Sequence, residues 1–214
     1  YSGHWDGHGS WCNPIVYPFW LVPALQWLTD TRDPIPSGHG YVHGSMFFGP
    51  FFRGGGERPM TWDHMRHIAR LSYGDPDALD PYSGYRAKAV AAFFHTKHSV
   101  MKDTLPADDF VFPLQYSLNS EDRFCRITGP HIGTIDGPEV ERHLFVAGTG
   151  VGWDKAEWER AANRVYTLER AVAIRHWGRD RAMEESLVLP SFEYLENWTN
   201  PLLGKRYALD REQF

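Results

Sequence analysis

The chain has only two cysteines, Cys12 and Cys125, in 214 residues. Two cysteines cannot build a disulfide scaffold, so the simpler expectation is a reducing, cytoplasmic setting. No apolar run reaches the ~20 residues that span a bilayer. The longest candidate, Ile15 to Leu28, is broken by Pro18 and Pro23. An excess of positive charge is also missing. With 22 Lys and Arg against 27 Asp and Glu the net charge is −5, and no basic stripe marks a nucleic-acid partner. Neither a membrane nor a nucleic acid is therefore expected as a partner. Strand patterns are scarce, with Asp109 to Leu114 the one short candidate, and there is no internal repeat or low-complexity segment.

What is present is an ordinary globular mixture, 42% hydrophobic and 23% charged. At this length a folded domain buries roughly 70% of the surface of its unfolded chain. Aromatics are abundant, at 15% with 9 Trp, which suits a large apolar interface or a pocket with flat walls. Trp5, Trp11, Phe47, Phe48, Phe51 and Phe52 are candidates for a substrate tunnel, for core packing or for an interface to other domains.

Residues 1–60 read as a loop-rich segment with one short helix over 15–29. Between 30 and 60, Gly and Pro crowd into a long irregular stretch, and such loops in compact domains are usually functional. Residues 61–214 read as a helical domain. Thr61 caps a helix to about Tyr73, with Gly74 as its stop and Trp62, Met65, Ile68, Ala69 and Ser72 on one face. A second helix is expected from about Gly84 to Met101, with a stripe of Ala87, Val90, Ala91, Phe94 and His98. Residues 103–137 read as irregular, and Pro138 opens a short helix to about Ala147. The clearest element is 154–177, where Asp154 and Glu157 make a capping box. Trp158, Ala161, Val165, Leu168, Ala171 and Val172 form its stripe, and Gly178 ends it. The expected fold class is mainly α.

Eight of the 11 histidines fall in close pairs, His4/His8, His39/His43, His64/His67 and His95/His98. On a helix, spacings of three or four put both rings on one face, as a two-histidine metal site requires. No pair has the His-Glu-x-x-His form, and His98, inside an apolar stripe, also reads as a satisfied core histidine. A zinc or iron hydrolase is thus one reading, and a helical assembly domain without a cofactor is another.

A more specific signal lies in the last helix. Gly152-Trp153-Asp154, then Asn163-Arg164-Val165-Tyr166-Thr167-Leu168-Glu169-Arg170, then Gly178 resembles the C-terminal region of aldehyde:ferredoxin oxidoreductases. Asn163 stands where that family usually has Glu. Glu184-Glu185-Ser186-Leu187 with Pro190 resembles the family's acidic stretch after this helix, and Leu209 to Phe214 resembles its next helix. Upstream, Thr31-Arg32-Asp33-Pro34 with His39, and Asp103-Thr104-Leu105-Pro106-Ala107-Asp108 before Phe110 to Pro113, fit the family's loops in order.

The resemblance implies the C-terminal helical part of a tungsten (or molybdenum) bis-pyranopterin enzyme that oxidises aldehydes to carboxylic acids. Reduction of an aryl thioester, as in class II benzoyl-coenzyme A reductase, is the family's main variant. Electrons would pass through an iron-sulfur cluster to ferredoxin or an electron-transfer subunit. The remaining N-terminal domains, or a subunit carrying them, would be further partners. In keeping with this, Tyr1 at the start and a helix opening at Phe214 read as cuts in a larger enzyme.

The implied cofactor-binding residues are Asp103, Thr104, Leu105 and Asp108, with Asp103 accepting hydrogen bonds from pterin N–H groups. Arg32 is a candidate to grip a pterin phosphate. Asp108 occupies the position where the family has the fourth thiolate of a four-iron cluster. Either a carboxylate ligates there, or the cluster is absent, or Cys125 reaches in as the metal ligand. His39 and His64 are the candidates for proton transfer, since imidazole titrates near neutrality.

Overall fold

The computed structural model describes residues 60–80, 83–105, 107, 113–178, 180, 182–183, 199–200 and 205–206, together with Val22, Leu25 and Gln26. These residues are mainly helical. In chain order they form α1 (Trp62–Tyr73), a 3-10 turn (Pro76–Leu79), α2 (Lys88–Thr104), the strands β1 (Arg126–Gly129) and β2 (Gly133–Asp136), a second 3-10 turn (Gly137–Glu139), α3 (Val140–Thr149) and α4 (Lys155–Trp177). A two-residue ladder, β3 (Thr199–Asn200) with β4 (Lys205–Arg206), comes last.

The helix boundaries follow local chemistry. Thr61 and His64 cap α1 reciprocally, and Gly74 closes it at φ 80°, where a Cβ would be strained. Asp154 and Glu157 cap α4 in the same way, and Gly178 ends it in the left-handed region. Helix α2 begins differently. Its N-cap is Ala87 at φ 58°, with no side-chain cap. The compensation comes from Lys88, whose buried ammonium donates to the Asp77 carbonyl (2.7 Å), the Asp80 carbonyl (2.8 Å) and the Ser83 hydroxyl (2.8 Å). That one side chain ties the start of α2 to the turn after α1.

Among the described residues, two hydrophobic clusters carry the packing. The larger joins Met65, Ile68, Ala69 and Tyr73 of α1 to Ala78, Leu79, Ala91, Ala92 and Phe124. The smaller joins Val100 and Met101 of α2 to Trp158 and Ala162 of α4. An ion pair between Lys97 and Glu159 also crosses from α2 to α4.

The stripe expected for α2 is corrected in one respect, since Val90 is exposed. The buried face instead runs through Lys88, Ala91, His95, His98, Ser99 and Lys102, which is mostly polar. Within 103–137 the structure adds an antiparallel hairpin that pairs Arg126 with Asp136 and Gly129 with Gly133. Its flanks meet closely at Gly137, where a Cβ would stand 1.7 Å from the Leu114 carbonyl oxygen.

Candidate functional site

Helix α2 ends in the Asp103-Thr104-Leu105 stretch, and this end is held firmly. The Leu105 N–H donates to the Met101 carbonyl (3.0 Å) and the Ala107 N–H to the Lys102 carbonyl (3.0 Å). The Thr104 hydroxyl donates back to the Val100 carbonyl (2.8 Å). The Leu105 side chain packs on the Val100, Met101, Trp158 and Ala162 cluster. The end of α2 is therefore anchored to α4. Asp103 and Thr104 are exposed beside that anchor. A carboxylate in the last turn faces the negative end of the helix dipole, which opposes it by some tenths of a kcal/mol.

His64 is half-buried, and its ring serves the α1 cap. Its Nδ1 accepts the Thr61 N–H (3.1 Å). That bond assigns the proton of the neutral ring to Nε2, which makes His64 a hydrogen-bond donor on its outer side. Its partner in sequence, His67, turns to Asp122 instead (3.2 Å). Burial works against ionisation at Asp122, but hydrogen bonds from Arg126, the Phe124 N–H and His67 hold its carboxyl below the usual value.

Helical spacing thus does not make His64 and His67 a metal pair. The same holds for His95 and His98, which have separate partners. His95 Nε2–H donates to the Tyr73 oxygen (2.7 Å), and the Tyr73 hydroxyl donates to Gln115 Oε1 (3.2 Å). His98 Nδ1 meets Glu141 Oε2 at 2.6 Å. Among the described residues no group of three or more His, Cys, Asp or Glu side chains converges as a metal site would.

This buried array was only partly legible in the sequence. His98 is indeed a buried core histidine, bonded to Glu141 and tilted against Phe94 with ring centroids 4.2 Å apart. Glu141, Gln115 and Lys102 are each 1–2% exposed, and no local pattern singles them out. Burial in this array, with His98 and Lys102 nearby, pushes His95 well below its ordinary value and keeps it neutral.

Cys125 is a buried free thiol in the segment leading into the hairpin. Its N–H donates to the Gln115 carbonyl (3.1 Å) and its carbonyl accepts from Gly137 N–H (2.8 Å). Burial raises the thiol, which favours the neutral form over the thiolate that ligates iron. His39, Arg32 and Asp108 lie outside the described residues.

The apolar stripe of α4 is split between core and surface. Trp158 and Ala162 are buried, whereas Leu168 is 65% exposed. Trp153, Ala161, Val165, Leu168 and Ala171 line an open groove of about 720 Å³ along this outer side. No helix among the described residues is long and apolar enough to cross a membrane. No family model, curated protein or solved structure matches the chain.

Proposed function

We propose that this chain is the C-terminal helical part of a tungsten (or molybdenum) bis-pyranopterin oxidoreductase that oxidises aldehydes to carboxylic acids. The observation that carries the reading is the placement of Asp103. Its carboxylate is exposed at the end of α2, against the local dipole, on a turn fixed by Leu105 to the α4 cluster. The donor chemistry fits the group, because a carboxylate offers two charged acceptor oxygens to pterin amino and ring N–H groups. The segments that resemble the family, Gly152 to Asp154 just before α4 and Asn163 to Arg170 within it, supply the second support.

When bound, the cofactor supplies the two-electron redox chemistry, and the protein supplies binding, orientation and electrostatics. Asp103 would accept hydrogen bonds from the pterin, with Thr104 beside it. Leu105 packs the end of α2 against the cluster shared with α4. His64 presents an Nε2–H donor suited to a substrate or product oxygen, and His39 is the alternative for that task. Arg32 would take a pterin phosphate. Electrons would leave to ferredoxin or a partner subunit. Burial of the Cys125 thiol does not favour its service to an iron-sulfur cluster.

The test is metal and pterin analysis of the complete protein, wild type and Asp103→Ala. The wild type should carry tungsten or molybdenum and yield a fluorescent pterin on oxidation. The variant should lose most of both while keeping its helical circular dichroism. Zinc or iron without pterin would overturn the reading in favour of a metal hydrolase, and absence of any metal would leave an assembly domain. Full cofactor in Asp103→Ala would remove the role given to that carboxylate.

A further inference from the structure

Helix α4 turns one long face away from the core. Glu157, Ala161, Arg164, Leu168, Ala171 and Arg175 follow one another at spacings of four, three, four, three and four residues, the rhythm of a seam between two helices. Leu168, near the middle, is mostly exposed. Arg164, Ala171 and Arg175 are exposed, and Glu157 and Ala161 are half-buried. Four of the six, Ala161, Arg164, Leu168 and Ala171, line the open groove on this side. The buried residues of α4, Trp158, Ala162 and Ala173, lie on a different face.

This face complements itself when it is turned end for end. The six residues are placed symmetrically about the level of Tyr166, which is the midpoint of α4. Reversal about that level sets Glu157 opposite Arg175, Ala161 opposite Ala171 and Arg164 opposite Leu168. Unlike charges then meet at both ends. The alanines allow close approach, and the Arg164 stem covers Leu168 while its head reaches water. Glu157 keeps its cap bond from the Asp154 N–H (2.9 Å) through one oxygen and can meet an arginine with the other. A parallel pair would instead set Arg175 against Arg175 and Glu157 against Glu157, which is repulsive.

We propose that this face is a homodimer interface, on which α4 of a second copy of the chain packs antiparallel across a two-fold axis at the level of Tyr166. A two-fold interface uses the same patch on both copies, so the patch must complement itself. A partner of any other kind would not require symmetry about the helix midpoint. The 23 residues of α4 give a contact about 34 Å long. One helix pair makes a small interface, so the dimer is weak and dissociates on dilution. The pairing is independent of the cofactor assignment.

Sedimentation velocity of the full chain across micromolar concentrations tests the proposal. The wild type should pass from monomer to dimer as concentration rises. Leu168→Glu, at an exposed position, should keep its helical circular dichroism and weaken the dimer about tenfold or more. Arg175→Glu should act likewise, because it sets a carboxylate against Glu157. Mixing Arg175→Glu with Glu157→Lys should restore association, since both end pairs are again of unlike charge. Orientation is read in a Cys12→Ser background. Oxidation by copper–phenanthroline should link Ala161→Cys chains to Ala171→Cys chains, and neither variant to itself. A wild type that stays monomeric throughout would overturn the proposal and leave the face to a different partner. So would a dimer that both Leu168→Glu and Arg175→Glu leave intact, a mixture that fails to associate, or a cross-link of Ala161→Cys to itself.

Discussion

Single residues in this protein carry unequal burdens, and Gly137 and Tyr73 show two reasons. At Gly137 the problem is space. A Cβ would stand 1.7 Å from the Leu114 carbonyl oxygen and 2.8 Å from the Cys125 Cβ, and backbone cannot move as a side-chain tip can. Gly137→Ala should therefore cost about 3 kcal/mol or more, read from the urea midpoint. At Tyr73 the problem is satisfaction. Its hydroxyl lies between His95 and Gln115, all three buried. Tyr73→Phe would strand both partners and should cost about 1–3 kcal/mol by the same measurement. The sequence marked Gly74 and Gly178 as helix stops because their neighbours are local. Nothing local marked Gly137, since the atoms it must avoid include a carbonyl 23 positions earlier.

Helices here follow local rules where capping decides them and depart where tertiary contacts do. Thr61 and Asp154 cap α1 and α4 as their sequences imply. Asp154→Ala should lower stability by about 1 kcal/mol. Helix α2 breaks the rule, since its N-cap, Ala87, has φ 58°. A left-handed alanine carries roughly 1–2 kcal/mol of strain that glycine does not. Ala87→Gly should thus be neutral or stabilising, by up to about 1 kcal/mol after the glycine's greater unfolded-state entropy is subtracted. Thermal unfolding of the variant checks the sign, and clear destabilisation would contradict the strain argument. Val90 departs from the expected α2 stripe for a related reason. Periodicity sorts apolar residues to one side, but the side that this helix buries is polar. The hairpin at 126–136 carries no legible sequence pattern because its strands are four residues each, with exposed residues on both faces.

Across the whole molecule, buried titratable groups set how stability responds to pH. His95 is held well below its ordinary value by burial, then by His98 and Lys102. The unfolded chain therefore binds a proton below about pH 6.5 that the folded one refuses, and acidification through that range should destabilise the protein. Burial lowers Lys88 to about 8, against the raising effect of Asp80, Asp77 and Asp75. Between about pH 8 and 10.5 the unfolded chain binds more protons at that site, so stability should rise with pH there. Burial pushes Tyr73 and Tyr116 far above their ordinary range, so above about pH 10 the unfolded chain alone gives up those protons and stability should fall. Urea titrations from pH 5 to 11 should show an acid-side loss and a rise above pH 8 that turns over near pH 10. Lys88→Met should abolish the alkaline rise.

The start of α2 at Lys88 rather than near Gly84 could not be read from the chain alone, whereas the presence of the helices, the caps of α1 and α4 and the mainly α class could, because they depended on neighbours within four residues. So could the Asp103-Thr104-Leu105 stretch, as a pattern. Folding decided what those residues meet. It anchored Leu105 on Trp158 and Ala162, 53 and 57 positions away, and left Asp103 exposed beside them. It also separated the histidines that spacing had paired, giving His64 to Thr61, His67 to Asp122, His95 to Tyr73 and His98 to Glu141. A buried polar side chain bonds to whatever packing brings within about 3 Å. Most of these partners lie on other elements, beyond the reach of any local pattern.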